Sequence, residues 1–119
     1  MRFMMMVKTA EGSTPPSPEL MTAVGQLMGE MAKKGVLLEA GGLLPSAAGA
    51  ELRLEESQVR VIDGPFAESK EVIGGFAVLK ADSKPEAIEL GRRFLQVHAD
   101  TLGPTYRATL EIRQMADVP

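Results

Sequence analysis

Asp63, His98 and the polar run Glu68-Ser69-Lys70-Glu71 are the side chains of this sequence whose types could do chemistry. Asp63 opens an Asp-Gly-Pro-Phe turn. An aspartate at a strand end, aimed into a cleft, can serve as a hydrogen-bond acceptor or as a general base, and a base needs burial to raise its pKa. The same four residues also have a structural reading. Gly64 permits backbone angles closed to other residues, and Pro65 sets its own φ. Phe66 anchors the loop in the core, while the Asp63 carboxylate accepts from nearby backbone N–H groups as in an Asx-turn. His98 is the single histidine. It is either an acid–base group or a half-buried residue near a helix C-terminus, where a cation is favoured. Glu68 to Glu71 read as a solvated loop or as a lid whose Lys70 meets an anionic ligand. Gly74-Gly75 weakens a strand and calls for a bulge, a close backbone crossing or room for a ligand.

Composition narrows the function classes. The chain has 119 residues, 45% of them hydrophobic, which fits one domain over residues 1–119 with a sizeable core. There is no cysteine, so disulfides, thiolate nucleophiles and cysteine metal sites are absent, and a cytoplasmic location is expected. One histidine and no cysteine argue against a transition-metal centre, and no motif calls for a cofactor. Net charge is −3 with scattered basic residues, and the aromatics are only Phe3, Phe66, Phe76, Phe94 and Tyr106. Neither a basic stripe nor a base-stacking platform is present, so no nucleic-acid partner is expected. No apolar stretch approaches the roughly 20 residues needed to cross a bilayer, so no membrane partner is expected. The apolar run Phe3 to Val7 has no small-residue cleavage site after it and reads as a buried strand, not a leader. The eight methionines, three of them at Met4-Met5-Met6, are plain core filler or the lining of an adaptable pocket.

The elements that must position these residues follow from periodicity. In 2–8, Phe3, Met5 and Val7 alternate with Arg2, Met4, Met6 and Lys8, and both faces are apolar mid-strand, as in a central strand. A loop over 9–17 leads to a helix capped by Ser17 with Pro18 at its first position and a stripe of Leu20, Val24, Leu27, Met28 and Met31, ending at Gly35. Gly25 and Gly29 inside it suggest close packing on the sheet. Strands are expected at 36–43, 51–54, 58–62, 72–80 and 107–115, with a turn at 45–50 and a hairpin around 55–57. Ser83 and Glu86 form a capping box for a second helix with the stripe Ala87, Leu90, Gly91, Phe94, Leu95 and His98, stopped at Gly103-Pro104.

The order β-α-β-(hairpin)-β-α-β is the split βαβ pattern of an α+β, ferredoxin-like antiparallel sheet with extra hairpin strands. Two helices cover one face of such a sheet. The other face, carrying Met4 and Met6, stays apolar, and a patch of that kind rarely faces water. A second copy related by a two-fold axis is the simplest cover, which predicts a homodimer.

Residues 63–76, DGPFAESKEVIGGF, closely resemble the signature of the DGPF branch of the YCII-related domain family. Ser69 stands where a threonine is frequent. The likeness extends to Arg2–Lys8, Gly35–Ser46 and Glu111–Gln114. The resemblance implies a ferredoxin-like fold of the dimeric α+β barrel type, with a cleft near the subunit interface. It implies little chemistry: the branch is largely without assigned activity, and some members are encoded beside sigma-factor genes. More distant relatives include a lyase-type enzyme with a His/Asp pair, but its histidine lies in the first helical region, where this chain has none. Where relatives often read GEGLHPS, this chain has Ala40-Gly41-Gly42-Leu43-Leu44-Pro45-Ser46, so the usual acid falls at Gly41 and the frequent histidine at Leu44. Glu39, two positions earlier on the same strand face and about 7 Å away, is the candidate to substitute for that carboxylate.

Three functions follow. A small acid–base enzyme on an organic substrate would use Asp63, His98 and Glu39, with Gly64, Pro65, Phe66, Glu68, Lys70, Gly74 and Gly75 around the ligand. A sensing or small-ligand-binding module would show an apolar, methionine-lined cavity. An interaction partner in sigma-factor regulation would show an exposed apolar patch and no cavity.

Overall fold

The computed structural model describes residues 1–10, 16–66 and 71–117. Strand β1 (Arg2–Ala10) runs through the middle of a four-stranded antiparallel sheet of order β2-β5-β1-β6, with β2 at Leu37–Gly42, β5 at Glu71–Lys80 and β6 at Thr109–Gln114. This is the ferredoxin-like strand order, and it arises because β1 carries apolar residues on both faces and so takes a central position. Met5 pairs with Ala77 and with Ile112, and Phe3 pairs with Leu79. These residues point to one face, which helices α1 (Pro18–Lys33) and α2 (Lys84–Leu102) cover. Phe3, Met5, Met31 and Leu79 are buried to 2% exposure or less, and Leu27 and Phe94 close the core above them.

Local signals set the helix ends. The Ser17 hydroxyl accepts from the Leu20 N–H at 3.1 Å. Gly35 takes a left-handed φ of 75°, and the Val36 N–H donates back to the Met31 carbonyl. At α2 the Ser83 hydroxyl accepts from the Glu86 N–H at 3.3 Å, while Glu86 accepts from the Asp82 N–H at 3.1 Å, so the box reaches back one residue further than expected. Gly91 permits the close approach of α2 to β6: a Cβ there would lie 2.8 Å from Ile112 Cδ1. Gly25 and Gly29 do not pack on the sheet, because they lie on the solvent side of α1 away from Leu27, and a Cβ at either would meet nothing within 4 Å. Nothing in the structure explains them.

Strands β3 (Ala50–Glu55) and β4 (Gln58–Asp63) do not extend the main sheet; they form a separate two-stranded ribbon. Glu56 and Ser57 both adopt positive φ, as the two central residues of a type I′ hairpin turn must. The ribbon leaves the body between β2 and β5 as an arm. The sheet face opposite the helices carries Met4, Met6, Phe76 and Val78, with Glu39 and Gly41 on the β2 edge.

Candidate functional site

The base of the arm is where the sequence motif meets the sheet. A short 3-10 turn at Ser46–Ala48 precedes β3, and Asp63 to Phe66 follow β4, so two chain segments close on each other there. The Gly64 N–H donates to the Gly49 carbonyl at 2.9 Å, and the Phe66 N–H donates to the Ser46 hydroxyl at 3.1 Å. Ser46 is buried. Gly64 is required for space, not for its backbone angle: a Cβ would overlap the Ser46 carbonyl, and its φ is not in the left-handed region. The Gly64-Pro65 peptide is cis. The Asp63 side chain is exposed and makes no hydrogen bond or ion pair among the described residues, so backbone groups and Ser46, not an Asx-turn, hold the corner.

Beside this corner lies an open cleft of about 600 Å³, walled by Leu43, Leu44, Pro45, Ala48, Phe66 and Ile73. Among the described residues Glu71 is its one charged lining residue. Gly74 and Gly75 stand nearby at an irregularity of the β1–β5 pairing: Val7 faces Gly75 and Lys8 faces Ile73, so Gly74 is the unpaired residue of a bulge. A Cβ on Gly74 would come within 3.3 Å of Thr9 Oγ1, and one on Gly75 within 3.2 Å of the Gly41 carbonyl. Both glycines therefore have a backbone reason. Ile73 shares the open face with Lys8, so the cleft and the uncovered side of the sheet are continuous.

The acid–base candidates are dispersed. Glu39 is exposed on the open face, paired with Val78. His98 lies on the helix side, buried, its Nδ1 2.8 Å from the Phe94 carbonyl. Its ring sits 4.5 Å from that of Phe94 and stacks on Tyr106 at 5.6 Å. Burial of Tyr106 raises its phenol pKa above the ordinary 10.0. His98 thereby fastens the segment after α2 to the helix, a role the sequence stripe did not reveal because Tyr106 lies beyond the helix stop. Asp63, Glu39 and His98 make no contact with one another, and no three acidic or histidine side chains gather among the described residues. Glu68 and Lys70 lie outside the described residues.

Part of the charge on the open face is paired. Lys8 Nζ contacts Glu111 Oε1 at 2.7 Å, and the hydrogen bond from Lys8 holds the Glu111 carboxyl below its ordinary 4.5. A second groove, also about 600 Å³, runs between α2 and the β6 edge past Ile88, Leu95, Ala99 and Ile112.

Sequence reasoning missed Ser46, which looked like part of a plain turn; its position directly after Pro45 in a stretch that mirrors the family's was the available signal. It also read the hairpin as an added strand, not an arm.

These features define a ferredoxin-like α+β domain with a protruding hairpin and an apolar cleft at its root. The profile of the YCII-related domain family matches residues 1–103, and the chain belongs to that family. It is also similar to an uncharacterized protein of Rhizobium meliloti (strain 1021), 28% identical over 108 residues that span 91% of this chain and 82% of that one.

Proposed function

We propose that this chain is a homodimeric, cytoplasmic small-ligand-binding domain, acting as one unit over its whole length, that holds an apolar organic molecule in the cleft at the root of the β3–β4 arm. The observation that carries this reading is the dispersal of the acid–base candidates: the buried histidine faces Phe94 and Tyr106, whereas the cleft beside Asp63 is walled by Leu43, Leu44, Pro45, Phe66 and Ile73. A mostly apolar pocket with few polar groups is the usual form of a small-molecule site. Its corner is held rigidly by Ser46 and Gly49, which pre-organises the wall that Phe66 supplies. Among the described residues no helix is long and apolar enough to cross a membrane.

The test is a two-dimensional amide NMR screen of the full chain against a library of small apolar and amphipathic organic molecules. The expected result is saturable shifts at Gly49, Phe66 and Ile73. A screen in which no compound moves these amides removes the binding reading. Titration of the His98 ring in the wild type and in Asp63→Asn separates the enzyme alternative. The binding reading expects the two curves to coincide, and an Asp63-dependent His98 titration would restore an acid–base pair.

A further inference from the structure

From Leu52 to Val61 the β3–β4 arm alternates, and at its root the pattern lapses, with Asp63 on the apolar side and Ile62 on the charged side. Leu52 pairs with Val61 and Leu54 with Val59 on one side; Arg53 pairs with Arg60 and Glu55 with Gln58 on the other. Such alternation belongs to a ribbon with one covered face. Yet these four apolar residues are 62–74% exposed, and the charged side carries loose ion pairs, Arg53 to Glu51 at 3.7 Å and Arg60 to Glu55 at 3.8 Å. Among the described residues no element packs on the arm beyond sparse contacts. A lone two-stranded ribbon is marginal in water.

The whole chain has the same deficit. It exposes 8480 Å², whereas a compact monomer of 12.7 kDa exposes about 6,200 Å². The excess, on the order of 2,000 Å², exceeds the roughly 800 Å² per partner of a standard interface. The Cα radius of gyration is 16.0 Å, against about 13.5 Å for a compact domain of this length. The molecule is 20 Å thick along its shortest axis, and among the described residues neither helix covers the second side of the main sheet, which carries Met4, Met6 and Phe76. Two apolar surfaces on one chain, the exposed side of the arm and the half-buried Met4, Met6 and Phe76 at the centre of the open sheet face, are what a two-fold pair of copies satisfies together, because each copy supplies one surface to the other.

We propose that the β3–β4 arm is a clasp: it lays Leu52, Leu54, Val59 and Val61 on the open sheet face of a second copy, against Met4, Met6 and Phe76. The cleft opens onto that same face through Ile73, so the partner closes the mouth of each ligand site, and the site is incomplete in one copy alone. This rests on the homodimer of the proposed function. Flexible methionines suit a face that must accept a ribbon of branched side chains.

Two measurements test it. Sedimentation velocity of the wild type at about 100 µM, well above the Kd expected for an interface of this area, should give a dimer. The double variant Leu54→Ser/Val59→Ser, at positions exposed in the single chain, should keep the wild-type circular dichroism and raise the dimer Kd by at least about 100-fold. In parallel, isotope-filtered NMR on mixed labelled and unlabelled wild-type chains should give intermolecular contacts from the Leu52, Leu54, Val59 and Val61 methyls to Met4, Met6 or Phe76. A wild-type monomer overturns both the homodimer and the clasp. A dimer whose Kd ignores the double variant, or whose intermolecular contacts place the arm in the α2–β6 groove or in solvent, overturns the clasp and leaves the homodimer standing.

Discussion

The helix-covered face of the main sheet and the apolar face of the arm are written in the same two-residue alternation, and they end in opposite environments. Phe3, Met5, Ala77 and Leu79 vanish beneath α1 and α2, whereas Leu52, Leu54, Val59 and Val61 stand in water. The difference lies in what the chain itself supplies. The two crossover helices are tethered to the ends of β1 and β5 and fall back on the sheet with their own apolar stripes, Leu27 and Met31 from one and Phe94 from the other. Among the described residues the arm has no third element of its own to meet. Alternation thus marks which face of a strand pair is apolar, and not what covers it.

The comparison is sharpest when the same substitution is made in both regions. Leu79→Ala leaves a cavity under Met5 and the helices and should lower unfolding free energy by about 3–5 kcal/mol in urea titrations. Leu54→Ala, in a chain diluted below its association range, should change it by less than about 0.5 kcal/mol. If the arm were fully packed within one chain, the two losses would be alike at every dilution.

The root of the arm is the joint between these regions and should be the next most sensitive place. Gly64→Ala forces a Cβ into the Ser46 carbonyl and should destabilise by about 2–3 kcal/mol, with amide shifts concentrated at 46–49 and 64–66. A shift pattern confined to Asp63 and its neighbours would show that the two segments are not interlocked.

The smallest effect belongs to the open face. Because Lys8 holds the Glu111 carboxyl below its ordinary 4.5, the pair stabilises the fold fully above that value. The contribution is lost as pH falls through the lower folded value. The urea midpoint of the wild type should therefore fall more than that of Glu111→Gln between pH 7 and pH 3. Parallel curves for the two proteins would remove the pair from the stability of this face.

Much of this architecture is legible in the amino-acid sequence. Ser17, Pro18 and Gly35 bracketed α1, and Ser83, Glu86 and Gly103 bracketed α2, because caps and left-handed stops are satisfied by groups a few residues away. The strand order followed from β1 being apolar on both faces. The glycines were harder. Gly91 and Gly64 answer to atoms far along the chain, Ile112 and the Ser46 carbonyl, and Gly74 answers to a bulge against β1, so no local rule could assign them. The motif from Asp63 to Phe66 was visible as a motif, yet its working partner Ser46 was not. A hydroxyl 20 residues away leaves no periodic trace.

The amino-acid sequence by itself determined the secondary elements, the ferredoxin-like order, the family and the presence of an apolar face without a cover, since these depend on caps, periodicity and composition carried within short windows. Only the tertiary structure decided that the hairpin stands apart as an arm, that His98 is bound into the α2 terminus with Tyr106, and that Asp63 and Glu39 lie apart from it. Those outcomes turn on distances between segments remote in the chain, which closure of the sheet sets and which no spacing along the sequence records.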